Sequence, residues 1–148
     1  MTEVYMGYEC EVKVSTTGTA GEADTPILDV TSVEYSTSTE KDEWQAFRNK
    51  GKKTVIITGR EDSIAITAKA LKNDTALRYL VKTAMTKQGS DCMTNASITI
   101  PMGFKIAGPA TIEVSNPGTG DGNKVPDVSV NLIFSGDYEV TDLEETTT

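Results

Sequence analysis

The apolar residues of this chain recur at every second position over short segments separated by turn formers, and that spacing restricts it to sheets with one dry face and one wet face. In Tyr8-Glu9-Cys10-Glu11-Val12-Lys13-Val14-Ser15 charged and apolar side chains alternate. The cleanest case is 125–135, where Val128, Val130, Leu132 and Phe134 share a face opposite Ser129, Asn131 and Ser135. One segment has helical spacing instead. Ala76, Leu77, Leu80, Val81 and Ala84 fall on a single helix face after a cap at Asn73 or Asp74, and Gly89 is the expected stop. The expected fold is therefore mainly β, an antiparallel sandwich or barrel-like domain with one flanking α-helix at about 73–87 packed on a sheet.

Further strands are expected at 8–15, 27–35, 54–59, 63–71, 96–101, 104–115 (interrupted by Gly108-Pro109) and, as a short edge, 138–140. Gly59-Arg60-Glu61-Asp62 reads as a turn or short polar bulge between two of them, and 116–123 as an extended hairpin tip. The whole chain, 1–148, is expected to form one domain with an arm at 1–7 and a flexible acidic tail at 142–148. A long loop at about 36–53 is the unusual part. It holds Trp44 and Phe47 among Arg48, Lys50, Lys52 and Lys53, and so long a connection in a compact domain is usually functional.

Several kinds of chemistry are excluded or left without support. The chain has no histidine, which removes the usual proton shuttle near neutral pH, the Ser-His and Cys-His nucleophiles and any His-bearing zinc site. A net charge of −8 argues against a protein that grips nucleic acid through phosphates. That charge is segregated: residues 1–35 carry −6, 36–112 carry +5 and 113–148 carry −7, a pattern that fits incidental charges on solvated strand faces equally with complementary surfaces on successive subunits. Cys10 and Cys92 make neither a disulfide framework nor a zinc ligand set and are expected to be idle thiols. Gly51-Lys52-Lys53-Thr54 fails as a phosphate loop because Ala46 and Lys53 stand where a glycine and a Ser or Thr are needed. Asp121 and Asn123 have calcium-loop spacing without the remaining ligands. No cofactor, no metal and no enzymatic activity are expected. Neither a secretory leader nor a run of membrane-spanning length is visible, so no membrane association is expected either.

Trp44 and Phe47 stand out because the chain has only one Trp and three Phe. They read either as a pair closing a local core under the loop or as an interface anchor, a role in which Trp and Arg are over-represented.

The order of these parts resembles the major tail tube protein of long-tailed bacteriophages. The likeness rests on a pre-strand arm, two strands, the polar connection holding Trp44 and Phe47 and ending near Gly51, then Val55-Ile56-Ile57-Thr58-Gly59, a single helix at Asn73 to Lys87, and a late strand ending Phe134-Ser135-Gly136-Asp137. The resemblance implies a β-sandwich subunit in homohexameric rings, stacked into a hollow tube through which DNA leaves the head. It further implies tape measure, tail terminator and distal tail proteins as partners, DNA as non-specific cargo, and a place in the virion tail after assembly in the host cytoplasm. Under it, Trp44, Phe47, Arg48, Lys50, Lys52 and Lys53 are the expected contact between rings. Glu9, Glu11, Asp127, Ser129 and Asn131 are then the expected lumen-facing residues, since each lies opposite an apolar stripe. A non-enzymatic head-decoration or receptor-binding sandwich is the alternative, with a hydrolase using carboxylates alone a distant third.

Overall fold

The computed structural model describes Met6 and residues 10–143. Among the described residues, eight strands and one α-helix follow in the order β1 (Glu11–Val14), β2 (Thr25–Pro26), β3 (Val30–Gln45), β4 (Lys53–Lys69), α1 (Thr75–Thr86), β5 (Met93–Ile100), β6 (Phe104–Pro117), β7 (Asp127–Phe134) and β8 (Glu139–Asp142). All pairings are antiparallel, in the order β2-β1-β5-β6-β7-β4-β3 with β8 added on β6.

The long strand β6 joins two halves of this sheet. Its first residues, Phe104 to Ala107, lie between β5 and β8, while from Ala110 onward it pairs with β7. The change of neighbour falls at Gly108-Pro109, and both residues fit that place. Pro109 has no N–H to offer, and it sits in the gap where β8 has ended and β7 has not begun. A Cβ on Gly108 would collide with Cβ and Cα of Tyr138, so only glycine lets the β7–β8 turn close on this corner. The result is the expected antiparallel, sandwich-like sheet with one helix.

The inward face carries Val12, Val14, Ile64, Ile66, Ile98, Ile106, Ile112, Val128, Val130 and Leu132, all buried. Alternation in β7 is complete: Val128, Val130, Leu132 and Phe134 are buried, and the residues between them, Ile133 included, are not. The helix lays Ala76, Leu77, Leu80 and Thr83 on this core. Its N-cap is Asp74, whose carboxylate accepts hydrogen bonds from Leu77 N (3.1 Å) and Leu28 N (3.2 Å), so one side chain caps α1 and fastens the segment before β3 to it. Asp74→Ala should lower stability by about 1–3 kcal/mol in a urea melt, because Asp74 is buried and two amide donors lose their acceptor. A loss below a few tenths would mean that water replaces the carboxylate freely.

The structure departs from the sequence expectations at several points; among them, β6 runs unbroken through Gly108-Pro109 to Pro117, and β3 and β7 begin at Val30 and Asp127. The segments 54–59 and 63–71 are one continuous strand, β4; Gly59-Arg60-Glu61-Asp62 is not a turn, and the irregularity there is a bulge at Thr58, between the pairs Glu40–Gly59 and Lys41–Ile57. Most of the expected loop at 36–53 is strand, since β3 and β4 pair as far as Gln45–Lys53 and only 46–52 connect them. Strand β5 starts at Met93 instead of 96, because Thr94 faces inward and satisfies its hydroxyl on Ser15 O at 2.7 Å, which hides it from a count of apolar residues. Helix α1 ends at Thr86, before Gly89. At the chain ends, the arm at 1–7 lies outside the described residues apart from Met6. Asp142 belongs to β8 opposite Phe104, and Leu143 N bonds to Gly103 O, so the expected tail lies outside the described residues only from 144.

Candidate functional site

Strand β4 pairs with β7 only from Ser63 onward. Beyond that point β3 and β4 continue alone from Thr37–Asp62 to Gln45–Lys53, a two-stranded arm reaching about 30 Å at ~3.3 Å per residue. Its register puts Trp44, Thr54, Asp42 and Ile56 on one face, and Glu43, Val55, Lys41 and Ile57 on the other. Val55, Ile56 and Ile57 are all exposed, so both faces of the ribbon present apolar side chains to water. Such a ribbon is marginal by itself, and exposed apolar groups concentrated on it mark a contact surface.

The six residues singled out around the loop come together at the end of this arm. Phe47 opens a single 3₁₀ turn and is fully exposed (103%), while Trp44 is 45% exposed opposite Thr54. Lys50 follows in the left-handed region (φ 56°) and Gly51 after it (φ 80°), which turns the chain back into β4. Arg48, Lys50 and Lys52 are exposed, and Lys53 pairs across the ribbon with Glu43 at 3.1 Å. Phe47 takes no part in the subunit core, so it does not close a local core under a loop.

The root of the arm holds a polar cluster. Asp62 is completely buried and accepts a hydrogen bond from the Thr37 hydroxyl (2.7 Å) directly across the ribbon, with the Arg60 guanidinium at 3.4 Å. Burial pushes the Asp62 carboxyl up, but the hydroxyls of Thr37, Tyr138 and Tyr35 and the charge of Arg60 together hold it below its ordinary value. The same contact raises the two phenols. Tyr35 is pushed up by burial and then by Asp62, and Tyr138 by its hydrogen bond to Asp62 and then by burial. Tyr138 also packs on Phe134, ring centres 5.4 Å apart, so the cluster ties the arm to the β6–β8 corner. The sequence reads Asp62 as part of a turn or short polar bulge and gives no sign of this cluster.

The outward face of β3, β4, β7 and β6 is a field of small polar side chains. Register aligns Ser32, Thr67, Ser129 and Asn116 in one row, and Glu34, Ala65, Asn131 and Glu113 in the next. Asp127 is neutralised at the end of this face by Lys69 at 2.8 Å. Ser129 and Asn131, which the alternation singled out, are thus side by side with Glu34 and Glu113, which it did not. Glu11 lies on the same side of the continuous sheet, through Thr99 and Lys105, and is paired with Lys13 at 3.2 Å. Glu9 lies outside the described residues.

Cys92 is buried with its thiol 3.2 Å from Ile112 O, and Cys10 is half-buried. Among the described residues, no His, Cys, Asp and Glu are grouped to hold a metal ion, and no helix is long and apolar enough to cross a membrane.

Neither the family models nor the curated proteins contain a match to this sequence. Solved structures do. A chain from the tail of an empty gene transfer agent particle, reconstructed with helical refinement and C6 symmetry, superposes with a TM-score of 0.71 at 16% identity, over 93% of this chain and 99% of that one. This chain has the fold of a tail protein. A chain of the native gene transfer agent virion matches with a TM-score of 0.70 at 14% identity, again over 93% and 99%. A chain from the structure of the anti-feeding prophage cap, the tube-terminating cap, matches at 0.62 and 10% over 96% and 93%. At such identities the shared property of these tail proteins is the fold, covered nearly end to end.

Proposed function

We propose that this chain is a structural tail tube subunit: copies join side by side into rings of six, rings stack, and DNA passes through the hollow centre. The observation that carries this reading is the near-complete shared fold with a chain of a tail that has C6 symmetry. Two features of the subunit support it. Strand β3 is a long edge whose outer side takes no further strand among the described residues, and closing sheets around a ring removes such an edge. The arm, with Trp44 and Phe47 at its end and Arg48, Lys50, Lys52 and Lys53 around them, offers an anchor for a neighbouring ring. Other tail proteins, the tape measure, terminator and distal tail components, meet the two ends of such a tube, and DNA is cargo rather than ligand. The role is structural, within a virion tail.

The lumen wall in this reading is the small polar face of β3, β4, β7 and β6. Ser129 and Asn131 lie in it, the Lys69–Asp127 pair leaves no net charge at its end, and Glu34 and Glu113 give it a weak negative charge that repels phosphates. Asn131→Lys with Glu113→Lys should leave tubes that assemble but retain DNA, because about a dozen added cations per sixfold ring make a phosphate-binding wall. Genome release from particles carrying the variant measures this, and normal release would remove lumen charge from the account. Electron microscopy of the purified chain tests the function itself. Rings or tubes are expected; discrete monomers or trimers would fit a head-decoration or receptor-binding module instead.

A further inference from the structure

At the root of the arm the core face of the sheet turns from apolar to polar in one step. Register sets Val33 opposite Ile66, Tyr35 opposite Ile64, Thr37 opposite Asp62 and Thr39 opposite Arg60. Asp62 therefore stands where the buried stripe Ala68, Ile66, Ile64 would place its next apolar residue, and it is as fully buried as they are. At the same level β7 leaves β4: Ser63–Ile133 is their last pair, and Phe134, the next residue of β7, is buried. Tyr138 comes back from the turn after β7, packs on Phe134 and faces the Asp62 carboxylate. Tyr35 and Tyr138 are both half-buried against the core around this point.

Beyond this level, among the described residues, no further strand pairs with the ribbon on either side. Its backbone pairing runs between β3 and β4 alone, which holds the two strands to each other without fixing the angle at which they leave the body. That angle is set by side chains at the root. Asp62 is where they meet: it takes the Thr37 hydroxyl from β3, the Arg60 guanidinium from its own strand, and Tyr138 from a turn that belongs to neither strand of the arm. We propose that Asp62 is a latch that sets the direction of the arm, tying its root to Tyr138 so that the tip is presented at one angle, and that its loss lets the ribbon pivot at Ser63. A carboxylate suits this task better than another isoleucine would. Apolar contact is non-directional, whereas hydrogen bonds to a charged acceptor are strong and directional. The latch holds whatever the tip meets, and an arm fixed beforehand lowers the ordering cost of any contact made there.

Trp44 is the sole tryptophan and lies near the far end of the arm, so the decay of its fluorescence anisotropy follows the arm without a label. All chains in the test carry Phe47→Ser, so that contacts between tips do not hold the arm. In this background Trp44 should tumble with the whole subunit. Asp62→Asn, and separately Tyr138→Phe, should raise the share of the decay carried by nanosecond motion at least about twofold. Tyr138→Phe keeps its ring on Phe134 and carries the test alone if Asp62→Asn does not fold. Asp74→Ala, which loosens the subunit at the cap of α1, is the control for lost stability and should leave the decay unchanged. An unchanged decay in either folded variant overturns the latch, and so does an arm that already moves freely in the Phe47→Ser background. An equal change in Asp74→Ala also overturns it, because any loss of stability would then free the ribbon.

Discussion

Replacing Trp44 and Phe47 together with serine should leave a subunit that folds and melts almost as the parent does, and that no longer assembles. Phe47 buries nothing within the subunit and Trp44 is about half exposed on a ribbon that projects from the core, so the change in folding free energy should stay within about 1 kcal/mol. At a contact the same side chains act differently. Central aromatic anchors are typically worth about 2 kcal/mol or more each, so losing both weakens each inter-ring contact by roughly a thousandfold, and every ring repeats the loss. Melting followed by circular dichroism and assembly followed by sedimentation separate the two effects. A large fall in melting temperature would place the pair in the subunit's own core and end the interface assignment.

Asp62→Ala should have the largest effect on the subunit itself, a loss of about 3 kcal/mol. The substitution removes a completely buried carboxylate, takes the acceptor from the Thr37 hydroxyl and the group that Tyr35 and Tyr138 face, and leaves a hole at the root of the arm, while the half-exposed Arg60 turns to water. The cluster also fixes a pH dependence. The carboxyl is held below its ordinary value in the folded state, so the folded state binds its proton less readily than the unfolded chain does. Its contribution is complete above the ordinary carboxylate range, near pH 4, and disappears as pH falls through the lower value of the folded state. Urea melts between about pH 6 and pH 2.5 should show a steeper decline for the parent than for Asp62→Asn. Parallel declines would mean that folding leaves the proton affinity of this carboxyl unchanged, and a parent that gains on Asp62→Asn as pH falls would mean that the buried carboxyl is neutral in the folded protein.

What the sequence made legible follows from which faces are buried. Strand β7 could be read almost to the residue because one face is core and the other is wet, and α1 because its cap and its apolar spacing agree. The arm could not be read as strand. Neither of its faces is buried in the subunit, so Ser36-Thr37-Ser38-Thr39 and the charges after it show no period, although threonine suits a sheet. Asp62 was hidden for the opposite reason. A buried carboxylate is intelligible only beside its partners, and Tyr35, Thr37 and Tyr138 come from two other places in the chain. The rows on the outward face have the same character: Glu34 and Glu113 become neighbours of Asn131 only through the register of four strands. Trp44, Phe47 and the basic residues were visible because they are rare or clustered in an acidic chain, and the hairpin then gathers them at one tip.

The most direct test of the tube reading is a helical reconstruction of the purified chain by electron cryomicroscopy. A hollow tube of stacked rings with six copies each is expected, with the outward face of β7, Ser129 and Asn131 on it, on the inner wall and the tip carrying Trp44 and Phe47 in contact with the next ring. A protein that stays in discrete particles at all concentrations, or a tube whose arms end free in solvent, would contradict it.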